Sequence, residues 1–252
     1  MRRTLFVIGF YLTSFFSYSQ IVIGEEVEEK KHNGNEVEKT VREKKVVETD
    51  GINSIYFVTN WSSTSRSLVS NGELFGKELG TRADETTLNT WSFGLGLRNR
   101  FGRHYFWDGG IAYYRNGESY LFTDIDTMFA YQNYYNYIAM PLRLNAFIGD
   151  KYKLSAGAGL VPQMFSSFRQ ETQWETTTQS KGKDTEKTKS GYNSFALGAI
   201  VNIGLTMDFD NGWTLLVSPE FRWQLTSSYT KIAPYIHKGR AYGVTFGLIR
   251  NL

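Results

Sequence analysis

The last thirteen residues, Arg240-Ala-Tyr-Gly-Val-Thr-Phe-Gly-Leu-Ile-Arg-Asn-Leu252, alternate with a period of two. Tyr242, Val244, Phe246, Leu248 and Leu252 fall on one side; Ala241, Gly243, Thr245, Gly247 and Asn251 fall on the other. A strand turns successive side chains to opposite faces, so this segment is oily and bulky on one face and small or polar on the other. Such a strand suits a wall that faces lipid outward and a narrow, polar interior inward.

The same pattern recurs upstream. Ile55, Phe57, Thr59 and Trp61 share a face, as do Trp91, Phe93, Leu95 and Leu97. Further alternating segments run through Tyr105 to Tyr113, Ile138 to Ile148, Leu154 to Met164, Phe195 to Leu205 and Trp213 to Leu225. With the C-terminal segment they predict eight strands, each long enough to cross a bilayer at a tilt. The connections alternate in length. Phe101–His104, Gly149–Lys151 and Asp208–Gly212 are short, and Asn211-Gly212 is a strong hairpin signal. Ser63 to Asn89, Asn116 to Asn133, Arg169 to Gly191 and Ser227 to Gly239 are long and polar. Short turns on one rim and long loops on the other are the layout of an outer-membrane barrel. The predicted fold class is all-β: an eight-stranded antiparallel transmembrane β-barrel of OmpA/OmpX-type size. A soluble lipocalin-like barrel would also alternate, but its polar face would meet water and carry Lys and Glu. Here that face is mostly Gly, Ser, Thr, Asn and Ala, which a narrow interior can hold. Pro141 and Pro219 cannot donate to a ladder and predict bulges or local breaks.

Residues 1–19 read as a secretory signal: Arg2 and Arg3, an apolar run from Leu5 to Phe16, and Ser17-Tyr18-Ser19 before cleavage at Gln20. The apolar run is too short for a spanning helix. Residues 20–51 form a charged extension, dense in Glu, Lys and Val, expected in the periplasm and solvated. The sharper alternative is a helix from Asn35 to Val47 that docks on a partner or plugs the barrel mouth. Residues 52–252 are the barrel domain. The formal charge of +3 falls to +1 without the two signal arginines, so nucleic acid is not an expected partner. There is no cysteine, which excludes disulfides, Cys-based zinc and N-terminal lipidation. Aromatic content is 16%, as suits membrane boundaries.

The "Ser-Gln" signal end, Tyr137-Ile-Ala-Met-Pro-Leu-Arg-Leu144 and the glycine-rich strands resemble the outer-membrane β-barrel domain family of Bacteroidota that includes PorT-like proteins. The resemblance covers about residues 52 to 252. It implies an eight-stranded barrel and a role in type IX secretion.

Arg98, Arg100, Asp108, Arg143, Lys153, Glu220 and Arg222 point to the interior by parity. A selective pore or ligand pocket is the sharper reading. The favoured one is a paired structural network, because a narrow barrel is filled by side chains and buried charges need partners. His32, His104 and His237 offer no spacing that supports catalysis or metal binding, and a solvated loop is expected for His237. No catalytic, cofactor-binding or metal-binding residue is predicted. Glu171 to Ser190 is mixed-charge and threonine-rich, expected to be a mobile loop with surface recognition as the alternative. Tyr131 to Tyr137 are expected to form an aromatic girdle. The leading functional expectation is a non-enzymatic accessory barrel with outer-membrane lipid and an envelope protein as partners. The alternative is a small transport or adhesion barrel working through its lumen or loops, and a lipid A-modifying enzyme using one of the histidines is disfavoured.

Overall fold

The protein, described from a computed structural model, is seen in residues 54–70, 85–123, 127–176 and 181–252. The expected signal, the extension 20–51, its helix and His32 lie outside the described residues. The strands are β1 (Ser54–Ser70), β2 (Glu85–Phe101), β3 (Tyr105–Thr123), β4 (Thr127–Ala139), β5 (Leu142–Ile148), β6 (Tyr152–Thr176), β7 (Lys181–Thr188), β8 (Phe195–Asp208), β9 (Trp213–Gln224) and β10 (Tyr235–Asn251).

All pairings are antiparallel and the sheet closes on itself. β1 pairs with β2 on one side and, over its whole length, with β10 on the other. One ladder row shows the closure. It starts at Ser54 and runs through Arg98, Asp108, Arg143, Gly159, Ile200, Arg222 and Ala241. It re-enters β1 at Thr64, ten residues beyond its start. That stagger is the tilt of a barrel wall.

Among the described residues the sheet has ten strands, not the eight expected. Two local causes account for the difference. Proline has no N–H to give the ladder, so the segment read as one strand breaks at Met140-Pro141 into β4 and β5, both paired with β3 and β6. The Met140 N–H donates to the Pro162 carbonyl, and the Pro141 carbonyl accepts from Gly110 N–H, bridging the break. The mixed-charge segment expected as a mobile loop contributes β7, which pairs with the upper half of β6. The OmpA/OmpX-type strand count is therefore corrected to a longer-walled, ten-stranded sheet of outer-membrane type.

Parity sorts the wall. Phe57, Trp61, Leu95, Ile111, Leu144, Leu154, Ile203, Leu215, Phe246 and Leu248 are exposed on the outside, while Asn60, Ser62, Ser92, Asn145, Ser155, Ser218 and Thr245 are buried within. An apolar exterior around a polar interior rules out the lipocalin-like alternative and defines a transmembrane barrel. Tyr113, Ile138, Met164 and Phe195 stand in one row at the upper edge of this belt. Gly102, Gly149 and Gly212 take positive φ in the three short turns, a conformation that L side chains resist. On the opposite rim β3, β4, β6 and β7 continue beyond the belt as a projecting sheet.

Inside, Gly110 lets β2 and β3 approach closely: a Cβ there would fall on the Leu95 carbonyl and within 3.0 Å of the Tyr56 hydroxyl. Gly110→Ala should cost about 1–3 kcal/mol through overpacking. Ile111→Val, on the adjacent outward position, should stay within about 0.5 kcal/mol. Urea unfolding of barrels refolded into vesicles, followed by tryptophan fluorescence, checks both.

Candidate functional site

Five of the seven inward charges predicted from parity meet in one alternating chain. Arg98 donates from Nε and Nη2 to the two oxygens of Asp108, at 2.8 and 3.1 Å. Arg143 Nη2 lies 3.4 Å from Asp108 Oδ2, and its Nη1 lies 3.9 Å from Glu220 Oε2. Arg222 Nε is 3.2 Å from Glu220 Oε1. The order is cation, anion, cation, anion, cation. Arg98, Asp108, Arg143 and Arg222 come together because they share the closing ladder row. Arg100 packs over the Phe147 ring at 4.8 Å near the short-turn rim, and Lys153 pairs with Asp208.

Neutral groups missed in the sequence complete the layer. Thr245 Oγ1 donates to Glu220 Oε2 at 2.7 Å, and Asn60 Nδ2 donates to Thr245 Oγ1 at 2.9 Å. Arg222 Nη2 donates to Asn60 Oδ1 and Ser62 Oγ, while its guanidinium lies 3.9 Å over the Tyr114 ring. Asp108 is only 2% exposed. Cavities of about 20 Å³ flank this layer, one beside Arg143 and Glu220, the other beside Arg222 and Gln224. Each has room for roughly one water. The lumen is packed here rather than open to hydrated ions.

A second cluster closes the upper mouth, above the belt. Arg66 Nε donates to Glu85 at 2.9 Å, and its Nη1 lies 3.2 Å from Glu118. Asn133 and the Tyr135 hydroxyl donate to Glu118 Oε1 at 2.8 and 3.0 Å. Tyr192 bridges to Tyr229 and stacks on Phe165 and Phe168. The expected girdle is thus only partly a girdle: Tyr135 and Tyr137 turn inward and are buried. His237 is not a solvated loop residue. It is 1% exposed, with its ring 4.5 Å from Tyr135 and 4.9 Å from Tyr229. Ser228, whose N–H donates to the His237 carbonyl, bonds through its hydroxyl to Tyr137 and Gln224. A sealed imidazole cannot reach a lipid substrate, and the ionisable groups inside the barrel are engaged with one another. Among the described residues no cluster of three or more His, Cys, Asp or Glu forms a metal site.

The fold and this packed interior define an all-β outer-membrane-type barrel. No family model matches the chain, and no curated protein does, so the resemblance to the PorT-like family of Bacteroidota is corrected. Among solved structures, Neisserial surface protein A is 10% identical, with a TM-score of 0.42 over 79% of this chain and 97% of that one. OprG from Pseudomonas aeruginosa is also 10% identical, with a TM-score of 0.41 over 80% and 96%. Ail, the attachment invasion locus protein of Yersinia pestis, gives 10% identity and a TM-score of 0.28 over 78% and 99% in its complex with sucrose octasulfate.

Truncating one member of the interior chain leaves buried charges uncompensated. Glu220→Ala should cost about 3–5 kcal/mol, and adding Arg222→Met should restore part of it. Equal unfolding midpoints for wild type and Glu220→Ala would overturn the assignment.

At the mouth, burial pushes the Glu118 carboxyl above its ordinary value, although Arg66 opposes the shift. The folded state then holds a proton more tightly than the unfolded chain. The stabilising contribution is full below the unfolded value and is lost as pH rises through the folded value. Wild type should gain stability on acidification through that window, and Glu118→Gln should remove this component. Thermal unfolding across pH 4–7 is the check.

Proposed function

We propose that the protein is an outer-membrane recognition barrel that binds a macromolecular partner through its long-loop rim. Residues 1–19 would act as the export signal and 20–51 as a periplasmic extension. The interior chain from Arg98 to Arg222 would serve to fill and hold the barrel. Transport through the lumen is disfavoured by the packed charged layer and by the aromatic closure above it.

The observation that carries the reading is on the projecting sheet. Phe122, Phe129 and Trp174 form one cross-strand row beyond the lipid belt, with Tyr120 stacked on Tyr131 in the row beneath. Leu121, Phe122 and Phe129 are exposed there, at 52%, 42% and 38%. Apolar side chains that face neither lipid nor core mark a contact surface. The β7 edge beside them carries Lys183, Asp184, Glu186 and Lys187, which discourages indiscriminate strand addition. This favours surface recognition over the accessory-subunit role.

Cells displaying the full chain should bind epithelial monolayers more than control cells. Phe122→Ser with Phe129→Ser should abolish the excess without changing the amount of folded barrel at the surface. Purified protein in planar bilayers should show no steady ion conductance. Steady channel currents, or undiminished binding by the double variant, would refute the proposal.

A further inference from the structure

The lipid-facing wall has a trough of about 760 Å³ spanning β1, β10, β9 and β8. Trp61, Val201, Ile203, Pro219, Phe221 and Tyr242 line it, and its surface is overwhelmingly apolar. Its volume lies within the roughly 300–1,000 Å³ range of small-molecule sites. The cause is visible in the ladder. The β8–β9 register runs to Asn202↔Glu220 and resumes only at Leu205↔Val217, with Pro219 in the interval. Pro219 has no N–H to donate there. A hydroxyl replaces the ladder bond: Ser218 Oγ donates to the Ile203 carbonyl at 3.1 Å.

Directly above the trough the wall changes character. Arg240 and Lys238 share the outward parity of Tyr242 on β10, so they stand about 7 and 13 Å beyond it along the strand. Arg240 is exposed and lies opposite Trp223, whose ring stacks on Phe221 of the trough. Their β1 partners are serines: Arg240 faces Ser65 and Lys238 faces Ser67. Neither cation forms an ion pair among the described residues. An apolar trough at acyl-chain depth, topped by two uncompensated cations at headgroup height, has the chemistry of one ligand.

We infer that this face is a specific site for one phosphorylated lipid of the outer leaflet, with an acyl chain in the trough and a phosphate on Arg240 and Lys238. Acyl contact alone gives little preference, because the surrounding lipid is equally apolar. The chain bound in the trough contributes fit; the two cations supply the discrimination through charge-assisted hydrogen bonds to phosphate oxygens. The inference rests on the membrane-spanning reading of the barrel but not on any partner at the rim.

The test uses the full chain purified in mild detergent, titrated with phosphorylated lipid A or its dephosphorylated form, with bound lipid counted by native mass spectrometry. Wild type should hold one phosphorylated lipid and prefer it at least tenfold over the dephosphorylated form. Arg240→Gln or Lys238→Gln should each weaken binding about fivefold, and the double variant about thirtyfold. Val201→Trp, which fills the trough, should lower occupancy while both cations remain. Unheated gel migration confirms that each variant is folded. Equal affinity for the two lipid forms, or unchanged binding by the double variant, would overturn the site. So would unchanged occupancy in Val201→Trp. Displacement of the lipid by millimolar inorganic phosphate would assign the cations to a free anion instead and likewise overturn it.

Discussion

Everything in this molecule depends on closure of the backbone ladder between β1 and β10. In lipid an unpaired N–H or carbonyl has no water to turn to, so a spanning sheet must end where it began. The seventeen-residue register from Ser54↔Asn251 to Ser70↔Tyr235 meets that demand. Closure also fixes the stagger, and the stagger decides which side chains meet across the interior. The row that leaves β1 at Ser54 and returns at Thr64 carries Arg98, Asp108, Arg143 and Arg222. A different stagger would present the same residues to other neighbours and leave charges unpaired. Main-chain closure and side-chain pairing are one constraint seen at two levels.

The interior is layered rather than uniformly polar. Tyr56, Leu216 and Ile249 form a small apolar cluster, and a larger one joins Tyr114, Tyr135, Tyr137, Val161, Phe168 and Ile200. The charged chain is packed among these rings, with Arg98 3.9 Å over Phe106 and Arg222 3.9 Å over Tyr114. Stacked guanidiniums keep their planar faces on apolar surface while their edges donate hydrogen bonds, which suits arginine and not lysine. Burial of this kind is costly unless every member is satisfied. Asn60 and Ser62 accept from Arg222 Nη2 and Thr245 donates to Glu220 Oε2, which meets part of that demand.

Much of the fold was legible because a strand's period of two is local. The alternation in the C-terminal segment, the short turns and the inward charges all follow from parity and turn chemistry. The strand count was not legible, because it turned on nonlocal pairing. Pro141 signalled a break, yet whether both halves would pair with β3 and β6 depends on residues far away in sequence. Lys181–Thr188 has the composition of a solvated loop and becomes a strand only because β6 extends far enough to template it. Read as one block, the tyrosine run suggests a girdle, but parity divides it. Its parity with Ala139 places Tyr135 and Tyr137 inside, and its parity with Ile138 places Tyr134 outside. Glu118 could have been found the same way, from its parity with Tyr114 and Asn116. His237 could not, since the rings of Tyr135 and Tyr229 that enclose it come from other parts of the chain.

The two prolines make the same chemical defect and have different consequences. At Pro141 the missing donor falls where β3 and β6 both have partners to spare, so Met140 and Gly110 bridge the gap through backbone bonds. At Pro219 no backbone donor takes over, and the Ser218 hydroxyl serves the Ile203 carbonyl instead. A hydroxyl bond satisfies a carbonyl without holding two strands in register. The wall is therefore free to depart from a regular ladder at Pro219, and the trough lies there. The outer-face site thus follows from the same rule that closes the barrel. Where the ladder is complete the wall is smooth. Where one N–H is missing, the substitute that keeps the backbone satisfied also creates a concave surface facing lipid.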